Sequence, residues 1–235
     1  MNDFITNFED RVKEVESYFR FLDKLDEENV KLYFSEINRY SQIDDDIIII
    51  LKANAFLVIY NLIESSIREG ILTIYDIIIQ ENRSYEALTT KIRSIWTNFE
   101  FRKIFDISSN WKSYYNKTSE LIQHVIDKEV IKLNRKAIPI SGNLDADQVR
   151  TLCDLHGIKK NVHYRARGGA TLETIKSARN SLAHGNLSFI ECGRQYDFDQ
   201  LRKMKKESIV FVRSILRNVE EFITNKKYAT NSSIT

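Results

Sequence analysis

The chain has 235 residues, 43% of them hydrophobic, with one proline (Pro139) and seven glycines. Such a length suits one domain, and so few breakers exclude an all-β protein, whose many reversals need Gly, Pro, Asn and Asp. Net charge is +2 but unevenly spread, +8 from Arg150 onward and −6 before it, which points either to a polyanionic partner or to chance distribution over solvated helix faces.

The first ten residues lack a basic start, an apolar core and a small-residue cleavage site, so no signal peptide is expected. Asn2 or Asp3 caps a first helix, in which Phe4, Phe8, Val12, Val15, Phe19 and Leu22 recur at helical spacing. A second helix is expected from about Glu27 to Ile37. The polar, acidic Ser41–Asp46 suits the start of a helix, where carboxylates meet the positive end of the dipole. The apolar stretch from Ile47 to Ile79 reads as a central helix, bent near Gly70. Runs such as Ile47–Leu51 and Ala55–Tyr60 are each shorter than the roughly 20 apolar residues that span a bilayer, so no membrane is expected.

Ser84 to about Phe99 and Asn110 to about Arg135 read as further helices, and Lys136–Asn143 as a loop. Leu144 to His156 is a short helix ended by Gly157, followed by a basic loop, Lys159–Gly169. Thr171, as N-cap, opens a helix that stops at Gly185. Asn186–Tyr196 is a connector with an extended piece at Leu187–Ile190. Asp197 or Asp199 caps a last helix to about Asn225, and Tyr228–Thr235 is a polar, mobile tail. The expected architecture is an all-α helical bundle over residues 1–227, with a short helix and basic loop inserted at 142–170. Cys153 and Cys192 lie outside any metal-ligand spacing. They read as free thiols in a reducing, cytoplasmic compartment with no structural zinc.

Three constellations could carry chemistry. In Ala178-Arg-Asn-Ser-Leu-Ala-His-Gly185, His184 lies in the last helical turn, where carbonyl ends stabilise an imidazolium. Asn180 and His184 share a face, whereas Arg179 and His184 diverge by roughly 140°. One helix alone would not aim both at one phosphate; two such helices meeting across an interface could. On spacing alone these residues read first as ordinary helix terminators, since basic residues favour helix C-termini and Asn, His and Gly commonly end helices. On the central helix, Asn54, Asn61, Glu64, Ser65 and Arg68 form a polar stripe. Glu64 and Arg68 are candidate orienting residues for Arg179 or His184, or simply an i,i+4 surface pair. In the basic loop, Lys159, Lys160, His163, Tyr164, Arg165 and Arg167 could track an RNA backbone and stack on a base, or form a solvated loop. His124 and His156 sit on helical patterns and read as structural.

The segment Ala178–Gly185 resembles the signature of the HEPN superfamily, whose ribonuclease branch carries an Arg, a polar residue and a His after a gap of four to six. Here the gap is four. Gly142-Asn-Leu-Asp145, Leu155-His-Gly-Ile158, Ser188-Phe-Ile-Glu-Cys-Gly-Arg194 and Phe56-Leu-Val-Ile-Tyr-Asn-Leu-Ile-Glu64 resemble the flanks of bacterial HEPN nucleases. The resemblance implies a metal-independent, cofactor-free endoribonuclease, a homodimer whose motif helices form one composite site. It gives His184 the role of general acid or base, Arg179 the scissile phosphate and Asn180 an orienting role, with 2′,3′-cyclic phosphate and 5′-hydroxyl products. A toxin or anti-phage role, with an antitoxin or defence-system partner, follows by analogy. The rivals are a non-catalytic HEPN module that binds RNA, nucleotide or protein, and a helical interaction protein with a fortuitous motif.

Overall fold

The computed structural model describes residues 3–27, 30–105, 111–133 and 142–230. Its elements are α1 (Asp3–Leu25), β1 (Lys31–Phe34), β2 (Arg39–Gln42), α2 (Asp45–Gln80), α3 (Thr90–Phe105), α4 (Trp111–Ile126), α5 (Ala146–His156), α6 (Ala170–Ala183), α7 (Phe189–Arg194) and α8 (Phe198–Thr224). The fold is all-α apart from one antiparallel hairpin, in which Tyr33 faces Tyr40.

The core is built around α2. Its Asp44 side chain caps the helix by accepting the Asp46 amide, and Asp45 and Asp46 fill the first turn, where the helix dipole favours negative charge. By length and composition α2 could cross a membrane. In the fold it is the central helix, contacted by α1, α6, α7 and α8. It runs as one unbroken helix through Gly70. A Cβ on Gly70 would lie 2.9 Å from Leu216 Cδ2, so this glycine marks the close approach of α8.

On α1, Phe4, Phe8, Val12, Val15, Phe19, Leu22 and Leu25 are buried. Each contributes about 1.5–3 kcal/mol by leaving water. Ion pairs flank that seam: Glu9 with Arg213 at 2.8 Å, Glu16 with Lys205 at 2.5 Å, and Asp23 and Asp26 with Arg202, both at 2.7 Å. Partly exposed pairs add under about 1 kcal/mol each, so they set the antiparallel register of α1 and α8 more than they hold it. They also explain much of the uneven charge. Arg202, Lys205, Arg213, Lys226 and Arg194 of the basic half pair with carboxylates of the acidic half.

Several expectations need correction. The helix expected from Asn110 to about Arg135 ends at Ile126, and the one expected from Ser84 begins at Thr90 after a short 3-10 turn. The segment read as a helix from Glu27 to Ile37 is largely the hairpin, whose turn places Asn38 at φ 49°. The expected extended piece at Leu187–Ile190 gives way to α7, started by a capping box between Ser188 and Glu191. Helix α6 begins at Ala170 after Gly169, and Thr171 does not cap it. Tyr228, placed in a mobile tail, is 1% exposed, and Ala229 bridges to Leu88. The Lys136–Asn143 loop lies outside the described residues except at Gly142 and Asn143.

Candidate active site

Helix α6 carries the motif. Leu172, Ile175, Ala178 and Leu182 are buried, which turns the remaining faces outward. At its C-terminus the Gly185 amide donates to Leu182 O and the Asn186 amide to Ser181 O. Gly185 takes φ +70°. This is a Schellman closure, which needs a left-handed residue at that position and selects glycine. His184 is the cap residue just before it. Its side chain is exposed and, among the described residues, free of hydrogen bonds and ion pairs.

Arg179 is held differently. Its Nη1 donates to Gly142 O at 3.2 Å and to Asn180 Oδ1 at 2.8 Å. Its guanidinium carbon stands 4.7 Å from the centre of the Tyr60 ring. Asn180 Nδ2 donates to Asn143 Oδ1 at 2.7 Å, and the Leu144 amide donates to the Tyr60 hydroxyl at 3.0 Å. Asp145 caps α5 and pairs with Lys176 at 2.7 Å. Burial raises its carboxyl pKa while the Lys176 ammonium and the Gln148 amide lower it, and the net shift is downward. The strap 142–145 is thus fastened to α6 and α2 at successive residues.

Arg179 opens onto a cleft of 340 Å³ shared with Tyr60, Asn61, Glu64, Ser65 and Arg68 of α2. Glu64 and Arg68 form the i,i+4 ion pair with each other, and they also face the cleft that Arg179 enters. His184 does not line it. The chain therefore brings Arg179, Glu64 and Arg68 together at the cleft, with Asn180 bonded to Arg179, and leaves His184 apart. Tyr60 and Asn143 carried no role in the sequence reading, although both fall within segments that resemble HEPN flanks.

The basic loop is an ordered turn. Lys159 pairs with Glu221 at 2.8 Å, Lys160 with Asp154 at 2.7 Å, and Arg167 with the buried Glu207 at 3.2 Å. Hydrogen bonds from Lys159 and Lys227 pull Glu221 down to a pKa of about 2. Gly169, at φ +80°, is seated so that a Cβ would fall 2.6 Å from Phe211 Cε2. Tyr164 stays 75% exposed, its ring tilted against that of His163 with centres 4.4 Å apart and Arg165 beside it. The loop enters the opposite end of α6 from His184. At 1.5 Å per residue that is roughly 20 Å away.

His156 is structural: its Nδ1 donates to Leu152 O at 2.7 Å, and its Nε2 accepts the Tyr75 hydroxyl at 2.8 Å. His124 stacks on Trp96 and meets Glu129 at 2.8 Å.

Residues 2–228 match the profile of the MAE_28990-like HEPN family. The chain belongs to the HEPN superfamily. No match was found among curated proteins or among solved structures. Within this HEPN domain, the central helix supplies one wall of the Arg179 cleft and the motif helix the other.

Proposed function

We propose that this HEPN domain is a metal-independent endoribonuclease that works as a homodimer. The observation that carries the reading is the split arrangement on α6. Arg179 is braced at a cleft, while His184 stands free at a glycine-closed helix end. A two-fold interface brings the same patch together twice, which would place one protomer's Arg179 near the other's His184.

In the composite site His184 takes the proton of the RNA 2′-hydroxyl as general base, or delivers one to the leaving 5′-oxygen as general acid. The 2′-oxygen bonds to phosphorus as the bond to the 5′-oxygen breaks. Arg179 offers its remaining N–H groups to the phosphate as charge builds. Asn180 orients the phosphate. Tyr164, His163 and Arg165 add a stacking surface for bound RNA. A toxin or anti-phage role in the cytoplasm, with an antitoxin or defence-system partner, is the biological setting we favour.

The rival, a non-catalytic HEPN module, draws on the Nη1 group of Arg179, which is already engaged within the chain. Incubation of the pure protein with end-labelled RNA in EDTA separates the two. The nuclease reading expects fragments with 2′,3′-cyclic phosphate and 5′-hydroxyl ends. Intact RNA across varied substrates, with binding retained, would favour the rival.

A further inference from the structure

The cleft holds a group that the motif does not name. Tyr60 is 2% exposed and lies on α2 one turn before Glu64. Its ring forms the floor under the Arg179 guanidinium, with 4.7 Å from guanidinium carbon to ring centre. Its hydroxyl accepts the Leu144 amide at 3.0 Å. Through that bond it holds the strap whose Gly142 carbonyl accepts from Arg179 and whose Asn143 accepts from Asn180. One side chain thus fixes Arg179 twice, once through its ring and once through its hydroxyl.

We propose that Tyr60 is the positioning residue of the site, holding the Arg179 guanidinium in the plane and at the edge from which it binds a phosphodiester. The proposal rests on the reading of Arg179 as the phosphate-binding group. An unsupported arginine samples many rotamers, and ordering it when substrate binds costs free energy. A ring beneath it and a carbonyl beside it remove most of that freedom in advance, which is where positioning gains its effect on rate. The ring contact leaves the N–H groups of Nε and Nη2 available, whereas a carboxylate in the same place would occupy them. The surroundings of the phenol support a neutral hydroxyl: burial raises its pKa, and the adjacent Glu64 adds to that rise against the lowering effects of the Leu144 amide and Arg179.

The test uses the whole protein, isotope-labelled, with Tyr60→Leu and Tyr60→Phe. The Arg179 Nε–Hε resonance, assigned by its loss in Arg179→Lys, is shifted by the ring current of Tyr60. Tyr60→Phe keeps that shift and Tyr60→Leu abolishes it. The inorganic phosphate needed to half-saturate the response of this resonance rises at least about tenfold in Tyr60→Leu, the scale of one lost positioning contact. In RNA cleavage, Tyr60→Leu lowers kcat/KM by about 10²-fold, and Tyr60→Phe recovers most of it. Tyr60→Phe removes the acceptor for Leu144 together with the hydroxyl's contact to Glu64, so the Leu144 amide exchanges with solvent about tenfold faster. Leu144 protection equal to wild type would overturn the strap contact even if Tyr60→Leu failed to fold. An unchanged Arg179 resonance and phosphate response in folded Tyr60→Leu would overturn the assignment of Tyr60. A wild-type protein that cuts no RNA would defeat the ribonuclease reading alone, since the phosphate titration still decides Tyr60.

Discussion

The cations of the loop before α6 and the arginine toward its C-terminal end are held differently. At the N-terminal end, Lys159, Lys160 and Arg167 are matched to carboxylates, and Gly169 is wedged against Phe211. At the C-terminal end Arg179 is braced by a ring and a carbonyl with N–H groups to spare, and His184 has no partner among the described residues. A cation braced without a carboxylate keeps N–H groups that an ion pair would occupy, as Arg179 does here and as Arg165 does beside Tyr164 in the loop. This contrast supports the proposed chemistry at the C-terminal end, although the loop before α6 has the denser positive charge.

The contrast breaks first at Arg179. Arg179→Ala should lower RNA cleavage by about 10²–10³-fold, the cost of one lost donor to developing charge. Arg179→Lys should recover little, because an ammonium cannot grip two phosphate oxygens in a planar fork. Thermal unfolding should shift far less than activity does.

At the other end the balance reverses. Gly169→Ala places a Cβ 2.6 Å from Phe211 Cε2 at φ +80°. The expected loss is about 2–3 kcal/mol of stability, read from the urea midpoint. A Gly169→Ala protein as stable as wild type would show that the seat is soft.

Two histidines sharpen the same comparison. Burial keeps His156 neutral and its pKa below the ordinary value. Below about pH 6.5 the unfolded chain therefore takes up a proton that the folded chain refuses. This contribution is complete above about pH 6.5 and is lost as pH falls toward the folded pKa. Urea midpoints at pH 7.5 and 5.5 should differ, and His156→Gln should reduce that difference. A separate loss belongs to lower pH. Lys226 and Arg83 hold Glu81 at a pKa of about 2, so its stabilisation, present above about pH 4.5, fades as pH falls toward 2.

The smallest effect belongs to the loop. Lys159, Lys160 and Arg165 neutralised to Gln should weaken RNA binding by about tenfold at low salt and less at high salt. Affinity unchanged in this triple variant would remove the loop from the RNA surface. Arg167 is kept out because its loss would strand the buried Glu207.

The long helices were legible because the 3.6-residue recurrence on α1, α6 and α8 is strong and the start of α8 and the end of α6 carry explicit signals. Gly185 and Asp197 ended and began helices where the sequence placed them. The hairpin was missed because Leu32, Tyr33 and Phe34 gave too short a run for its period to show, though Asn38 was a turn signal. Helix α7 was missed despite Ser188 and Glu191 standing at capping-box spacing. The site was half legible. Arg179, Asn180 and His184 stand in one sequence motif, but Tyr60 and Asn143 reach Arg179 and Asn180 only through tertiary packing, which no local pattern encodes. The charge asymmetry was legible as a number and not as a cause, since its pairs join residues such as Glu9 and Arg213 from opposite ends of the chain.

The most direct test of the central claim is the cleavage rate of purified His184→Ala on labelled RNA in EDTA, with circular dichroism and sizing as controls. Exposed at a helix end, this side chain carries little packing. The account therefore predicts a folded protein of unchanged size whose rate falls by about 10²–10⁴-fold through loss of the proton shuttle. Full activity in that well-folded variant would contradict it.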